Sequence, residues 1–242
     1  MNYRQLSKKE YDSAIIAMIE ELDKPLKVAG ENRKQDWIKG WSKAGKYPQY
    51  YGKYPVNRLN GKLVYALSKN YERDALYALV DTLFKKYLWD CKFVYEFGCG
   101  TGHLLERLNP RSVIVGLDWA NKKYGYFDFF NPKYPMSKNA GVYTVAALEQ
   151  VGTDFVKFVD FLVESKPRVV LHIEPIEELL DPTSLLDYLS LRYMKKRNYL
   201  SGYLTHLKKL EKEGKVKILS AKRSGIGSLF IDGYSIIAWY PI

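Results

Sequence analysis

Sulfur and imidazole are scarce in this sequence: two cysteines, four methionines and three histidines in 242 residues. Cys91 and Cys99 flank an expected buried strand and make neither a disulfide framework nor a ligand cluster, so they read as small core or loop residues of a reducing compartment. Long apolar runs are absent as well. None approaches the roughly 20 residues needed to cross a bilayer, and the opening MNYRQLSKKEYD is polar; the expectation is a cytoplasmic chain with no membrane partner. There is no internal repeat and no low-complexity tract.

The composition is that of an ordinary globular protein, 47% hydrophobic and 27% charged, which excludes a wholly disordered chain. A formal net charge of +11 favours an anionic partner such as nucleic acid or a nucleotide-linked sugar. The lysines are scattered along the whole chain, so a solvated Lys-rich surface explains the charge equally well.

The length suits one α/β domain with an appendage. Residues 1–69 read as a helical, aromatic-rich N-terminal extension or lid. Ser7 and Glu10 form a capping-box pattern ahead of Tyr11, Ala14, Ile15, Met18, Ile19 and Leu22 at helical spacing, which predicts a helix over 7–22. Trp37, Trp41, Tyr47, Tyr50, Tyr51 and Tyr54 follow, interleaved with lysines, glycines, Pro48 and Pro55, in a stretch that must be partly loop. Residues 70–242 read as the main domain. A helix from Asn70 to about Trp89 leads into a strand at Lys92–Phe97, a short helix at Thr101–Leu108 and a β-branched strand at Ser112–Leu117. An apolar segment at Gly141–Ala147, a helix over Asp154–Glu164 and a strand at Arg168–Ile173 continue the alternation. It predicts a doubly wound, mainly parallel sheet. Helical periodicity then runs from Pro182 to Gly214 with a break near Arg197-Asn198. Two last strands, Lys215–Ser220 and Ser235–Tyr240, are expected to pair antiparallel.

The informative segment is Val94-Tyr95-Glu96-Phe97-Gly98-Cys99-Gly100-Thr101-Gly102-His103. A strand running into a glycine-rich turn lets the backbone approach a ligand at the carboxyl end of a sheet, where doubly wound folds bind them. The glycine spacing departs from the dinucleotide fingerprint, because His103 stands where its third glycine would be, and no Gly-Lys-Ser/Thr follows to make a phosphate-binding loop. What remains is an acidic residue two positions before Gly-x-Gly-x-Gly.

In this the sequence resembles the class I methyltransferases dependent on S-adenosylmethionine (SAM), whose first motif matches Glu96 through Gly102. The likeness continues in order along the chain. Val115-Gly116-Leu117-Asp118 resembles the second strand ending in an acidic residue, Phe127-Asp128-Phe129-Phe130 the third-strand motif, Ala146-Ala147-Leu148-Glu149-Gln150-Val151 the fourth with Gln150 in place of histidine, and Val169 through Pro175 the fifth. The resemblance implies a seven-stranded Rossmann-like sheet with SAM as cofactor. It also implies that Glu96, Gly98, Cys99, Gly100, Thr101, Gly102, Phe129 and Leu148 surround the cofactor, that Asp118 receives the ribose hydroxyls, that Trp119 lies against the adenine, and that Asp128 accepts from the adenine amino group. A carboxylate suits the ribose because it accepts two hydrogen bonds at once.

His172 and Glu174 lie two apart on one strand and so face the same way near its carboxyl end, which makes them candidate general bases. Glu149, ending the neighbouring strand, is a third. The alternative for His172 is a hydrogen-bonded core histidine. The aromatics of 37–54 and the tyrosine-rich run from Tyr193 to Tyr203, with Arg197, are candidates for the walls of a substrate pocket. These features lead to the expectation of an enzyme moving a methyl group to a hydroxyl or amine of a small, sugar-like or nucleotide-linked acceptor, with no metal. An RNA methyltransferase and a non-catalytic RNA-binding scaffold retaining the fold are the alternatives.

Overall fold

A computed structural model describes residues 2–43, 51–120 and 123–242. Tyr47, Pro48 and Tyr50 of the aromatic stretch therefore lie outside the described residues. The chain runs through β1 (Tyr3–Gln5), α1 (Lys8–Asp23), α2 (Lys34–Trp41), β2 (Val56–Leu59), β3 (Lys62–Ala66) and α3 (Tyr71–Tyr87) before entering its main sheet. The sheet strands are β4 (Phe93–Phe97), β5 (Val113–Asp118), β6 (Gly125–Tyr126), β7 (Gly141–Val145), β8 (Val169–Glu174), β9 (Val216–Lys222) and β11 (Ser235–Pro241). Helices α4 (Val156–Ser165), α5 (Leu185–Arg197) and α6 (Tyr203–Lys212) and the short β10 (Ile226–Gly227) complete the order.

The expected doubly wound sheet is present, with strand order β6-β5-β4-β7-β8-β11-β9. β4 pairs parallel with both β5 and β7, and β7 with β8, while β11 runs antiparallel to β8 and β9. Successive strand residues point to opposite faces, and the two faces bury different helices. Tyr143 and Leu171 pack with Leu76, Val80, Leu83 and Phe84 of α3. Val142 and Val170 pack with Phe158, Val159 and Leu162 of α4 and with Leu204 and Leu207 of α6. The order reverses between β4 and β7, so the loops leaving their carboxyl ends emerge side by side, the usual ligand position in such sheets.

Several local expectations are corrected. Thr101–Leu108 forms only a single 3-10 turn at Leu105–Arg107, because Gly100 and Gly102 carry positive φ and delay any helical start. Among the described residues the stretch from β5 to β7 holds no helix, and Phe127 and Phe129 pack there, their ring centroids 4.4 Å from Phe97 and 4.9 Å from Phe158 respectively. The long helical segment divides as expected, with Asn198 in the left-handed conformation at φ 50°.

The extension is not helical throughout. Ser7 and Glu10 do form the capping box of α1, but β2 and β3 make a hairpin across Asn60-Gly61, both with positive φ (49° and 75°). Asn-Gly between two short extended runs is the strongest local hairpin signal, and it lay within the reach of the sequence. β1 and β10 flank this hairpin in a second sheet of order β1-β3-β2-β10. Because β10 comes from the connection between β9 and β11, the two ends of the chain are stitched together. Among the described residues no helix is long and apolar enough to cross a membrane.

Charge reinforces the stitch. Arg58 of β2 is buried and donates to the carbonyls of Leu186 (3.1 Å) and Leu229 (3.3 Å), with Asp187 at 3.9 Å. Arg223 clasps Asp187 (2.6 Å) and Asp232 (2.7 Å). Removing one member leaves its partners charged and poorly compensated in the interior. Asp187→Asn is expected to lower the unfolding free energy by about 3–5 kcal/mol; a denaturation midpoint equal to wild type would show that the network contributes nothing.

Candidate active site

The glycine loop is tied to β5, since the amides of Gly98 and Cys99 both donate to the Leu117 carbonyl at 2.8 and 3.0 Å. Gly98, Gly100 and Gly102 all carry positive φ (77°, 53° and 72°), but they do different work. A Cβ on Gly98 would lie 2.5 Å from the Ala147 Cβ, and one on Gly102 would lie 1.9 Å from the Tyr124 hydroxyl. Those two glycines permit close packing. Gly100 faces the cradle itself, and its neighbour there is the Trp41 ring of α2, 3.2 Å from where its Cβ would stand.

The remaining residues expected around a cofactor collect at this cradle. Both carboxylate oxygens of Asp118 accept backbone amides, Gly100 at 2.9 Å and Ala120 at 2.7 Å. Glu96 is buried, accepts from the Tyr143 hydroxyl at 2.9 Å, and is pushed up to about 8 by burial. Cys99 is buried and its thiol is pushed far up by the same cause. Thr101 Oγ1 lies 2.9 Å from His103 Nδ1. Trp119 stacks on Phe130 at 5.8 Å and meets Phe129 edge-on. Phe129 and Leu148 are buried in the main core. Asp128 accepts from the Phe130 amide at 3.1 Å and is ion-paired to Lys34.

Helix α2 thus reaches the cradle at several points. Besides the Trp41 ring against Gly100, Trp41 Nε1 donates to Gln150 Oε1 at 3.0 Å, and Lys34 lies over the Trp119 ring. The indole divides the cleft into two small spaces of about 20 and 10 Å³, one beside Glu96 and Thr101, the other beside Asp118 and Trp119. Sequence reasoning placed the aromatic stretch over the site but did not foresee that one ring enters the cradle.

A larger cavity of about 310 Å³ adjoins it, with Trp41, Ala146 and Gln150 on the shared boundary. Its walls include Trp37, Tyr54, Tyr199 and Phe230, together with Glu149 and Arg197. Arg197, Tyr193 of α5 and Tyr199 just after it therefore do line a pocket, whereas Tyr203 of the same run is buried in the main core. Glu72, which sequence reasoning missed, also lines it; its one signal was a carboxylate on the apolar stripe of α3. It accepts from the Tyr234 hydroxyl at 3.0 Å and is pushed up to about 7 by burial.

The three candidate bases separate sharply. Glu149 sits in the 3-10 turn Leu148–Gln150 after β7, half-buried on the cavity wall. Burial, then the neighbouring Glu174, push it up to about 8. Glu174 does not line the cavity; it is fully buried and accepts from the Ala147 amide at 3.1 Å, bracing the turn that carries Glu149. His172 is corrected to a core residue. It is fully buried, Nδ1 meets Thr144 Oγ1 at 2.8 Å, and Tyr203 and Trp239 pack around it. His172 and Glu174 share one face of the sheet as the period of two requires, but α4 and α6 cover that face at His172. Among the described residues no group of three or more His, Cys, Asp or Glu could hold a metal.

No protein-family model and no curated protein sequence matches the chain. Solved structures do. Magnesium protoporphyrin IX methyltransferase (ChlM) from Synechocystis PCC 6803 with bound SAM superposes with a TM-score of 0.53 at 13% identity, over 86% of this chain and 96% of that one. The same protein with bound S-adenosylhomocysteine (SAH) gives 0.50 over 86% and 94%, also at 13% identity. The mitomycin 7-O-methyltransferase MmcR gives 0.51 at 14% identity, over 71% of this chain and 56% of that one, so the chain spans little more than half of MmcR. The fold is that of the class I SAM-dependent methyltransferases.

The burial of His172 has a measurable consequence. Desolvation lowers it to about 3, so the folded state resists a proton that the unfolded state takes up near its ordinary value of about 6.5. Stability from this group is present above pH 6.5 and is lost as pH falls towards 3, by up to about 1.4 kcal/mol per pH unit. His172→Asn, which can still meet Thr144, is expected to lose less stability than wild type between pH 7 and pH 4.5. Equal losses in denaturant titrations at the two pH values would contradict a buried neutral imidazole.

Proposed function

We propose that this chain is a SAM-dependent methyltransferase acting on a hydroxyl or amine of a small molecule. The observation that carries the reading is the shared wall: a glycine cradle at the sheet's switch point opens, across Trp41, Ala146 and Gln150, onto a cavity of about 310 Å³. A cavity of that size suits a small-molecule acceptor. The alternating glycines, the Asp118 carboxylate and the Trp119 face fit a nucleoside-bearing cofactor in chemistry. Gly100 is the position whose missing side chain gives it room. SAM supplies an electrophilic methyl on a sulfonium, so the chain has to align an acceptor with it, exclude water and take up a proton.

Glu149 is the group placed to take that proton. Its carboxyl lines the acceptor cavity, and a value raised to about 8 makes it a stronger base than an ordinary glutamate, at the cost of being mostly protonated at neutral pH. Glu174 serves as a positioning residue beneath it. Arg197 and the aromatic walls hold the acceptor.

Trp41 fills the space that SAM needs, since the two remnants of the cleft are far too small for a nucleoside. On this reading α2 withdraws before the cofactor enters, breaking the Trp41–Gln150 and Lys34–Asp128 contacts, and SAM binds with whatever free energy remains after that displacement. A sugar-like or nucleotide-linked acceptor is less well matched, because the walls are aromatic faces and three carboxyl groups. The net charge of +11 is the observation that favours RNA instead.

Calorimetric titration of SAM into wild type, Trp41→Ala and Gly100→Arg tests the cofactor. Trp41→Ala is expected to bind roughly tenfold more tightly, a gain of about 1.4 kcal/mol, and folded Gly100→Arg not at all. Absence of binding to both wild type and Trp41→Ala overturns the reading, and salt-sensitive retention on RNA would then favour the scaffold. For the base, a wild-type transfer rate that climbs about tenfold per pH unit below 8 and levels above it is expected, with Glu149→Gln reduced by about 10²–10⁴-fold. A rate flat from pH 6 to 9 removes Glu149 from that role.

A further inference from the structure

Arg197 is the last residue of α5 and is rigidly held. Its carbonyl accepts from the Ala29 amide at 2.8 Å, and its Nη1 donates to the Tyr193 hydroxyl at 2.7 Å. The guanidinium carbon lies 4.7 Å from the Tyr199 ring centre and 5.6 Å from that of Trp37. These contacts fix the plane of the group without neutralising it. Among the described residues it forms no ion pair, and its Nε is buried with no hydrogen-bond partner. Glu149 acts on it only through space, and its Nη2 makes no hydrogen bond among the described residues, so a ligand carboxylate can supply that nitrogen with an acceptor and the group with a full counter-charge.

The rest of the cavity narrows the class of ligand. Trp37, Tyr54, Tyr199 and Phe230 offer flat faces rather than a hydrogen-bonding lattice, which suits a planar ring better than a polyhydroxylated one. Glu21, Glu72 and Glu149 also line the space. A dianionic phosphate would meet three carboxyl groups with one guanidinium and the exposed Lys53 to offset them, whereas a single negative charge on Arg197 is tolerable. Burial keeps Glu72 and Glu149 partly protonated near neutral pH, which further limits the repulsion.

We propose that the cavity binds a planar, ring-bearing small molecule through one carboxylate seated on the Arg197 guanidinium, with its methyl-accepting group presented to Glu149. The direction of the ligand follows from Arg197 and Glu149 lining the same space. This rests on the methyltransferase reading for the acceptor's fate, but not for its binding.

The test titrates the full chain, without SAM, with 6-hydroxy-2-naphthoate, its carboxamide and 2-naphthyl phosphate. The acid is expected to bind at least tenfold more tightly than the isosteric amide and more tightly than the phosphate. Arg197→Gln should abolish the acid-over-amide preference and Arg197→Lys keep part of it, a pattern that lost packing alone would not produce. Equal affinity for acid and amide, binding of neither, a preference for the phosphate, or an intact preference in a folded Arg197→Gln would each overturn the proposal. The wild-type comparison needs no variant, so misfolding of Arg197→Gln leaves it decisive. A chain that prefers the acid yet shows no affinity for SAM would retain this site and lose the methyltransferase reading.

Discussion

Where the strand order reverses, β4 and β7 lie parallel and adjacent but send their following loops in different directions, and those loops must nearly touch. The touch is between Gly98 and Ala147, where a single added carbon would come within 2.5 Å of its neighbour. Everything at the site depends on that approach. It aims the Gly98–Gly102 backbone at the space above the sheet. It also carries the turn Leu148–Gln150, and with it Glu149, to the rim of the same space. Glu174, at the end of β8, binds the Ala147 amide from below, so three neighbouring strands contribute to one fixed point.

Burial of charge is the second theme, and it has two outcomes in this molecule. Where charges pair, as for Arg58, Asp187, Arg223 and Asp232, they join segments remote in sequence, and the network links the N-terminal hairpin to the connection before β11. Other desolvated groups lie around or beneath the site. Glu96, Glu149, Glu72 and Glu174 are all raised by desolvation, and Arg197 lacks an acceptor at Nε. Titratable groups shifted by desolvation and clustered beside a cavity are a usual mark of a functional site.

The N-terminal extension belongs to both themes. Its hairpin shares a sheet with β10, and α2 delivers Trp41 and Lys34 to the residues expected to hold a cofactor. The extension is therefore at once a structural brace and the roof of the cradle. Its tight part, the hairpin with Arg58, and its site-facing part, α2, are separate elements.

Much of this was legible in the sequence because the relevant signals are local. Alternating glycines after Val94–Phe97 specify positive φ at a strand's end, Ser7 with Glu10 specifies a helix start, and the period of two places His172 and Glu174 on one face. Asn60-Gly61 is an equally local hairpin signal, set among aromatics and lysines. What a short window cannot contain is the partner across the fold. That α4 and α6 cover the face bearing His172, that Glu149 and Arg197 share one cavity, and that Trp41 lies in the cradle were decided only by tertiary structure. Backbone conformation and face alternation are set within a few residues, whereas solvent exclusion and the company a side chain keeps are set by which strands and helices come to lie together.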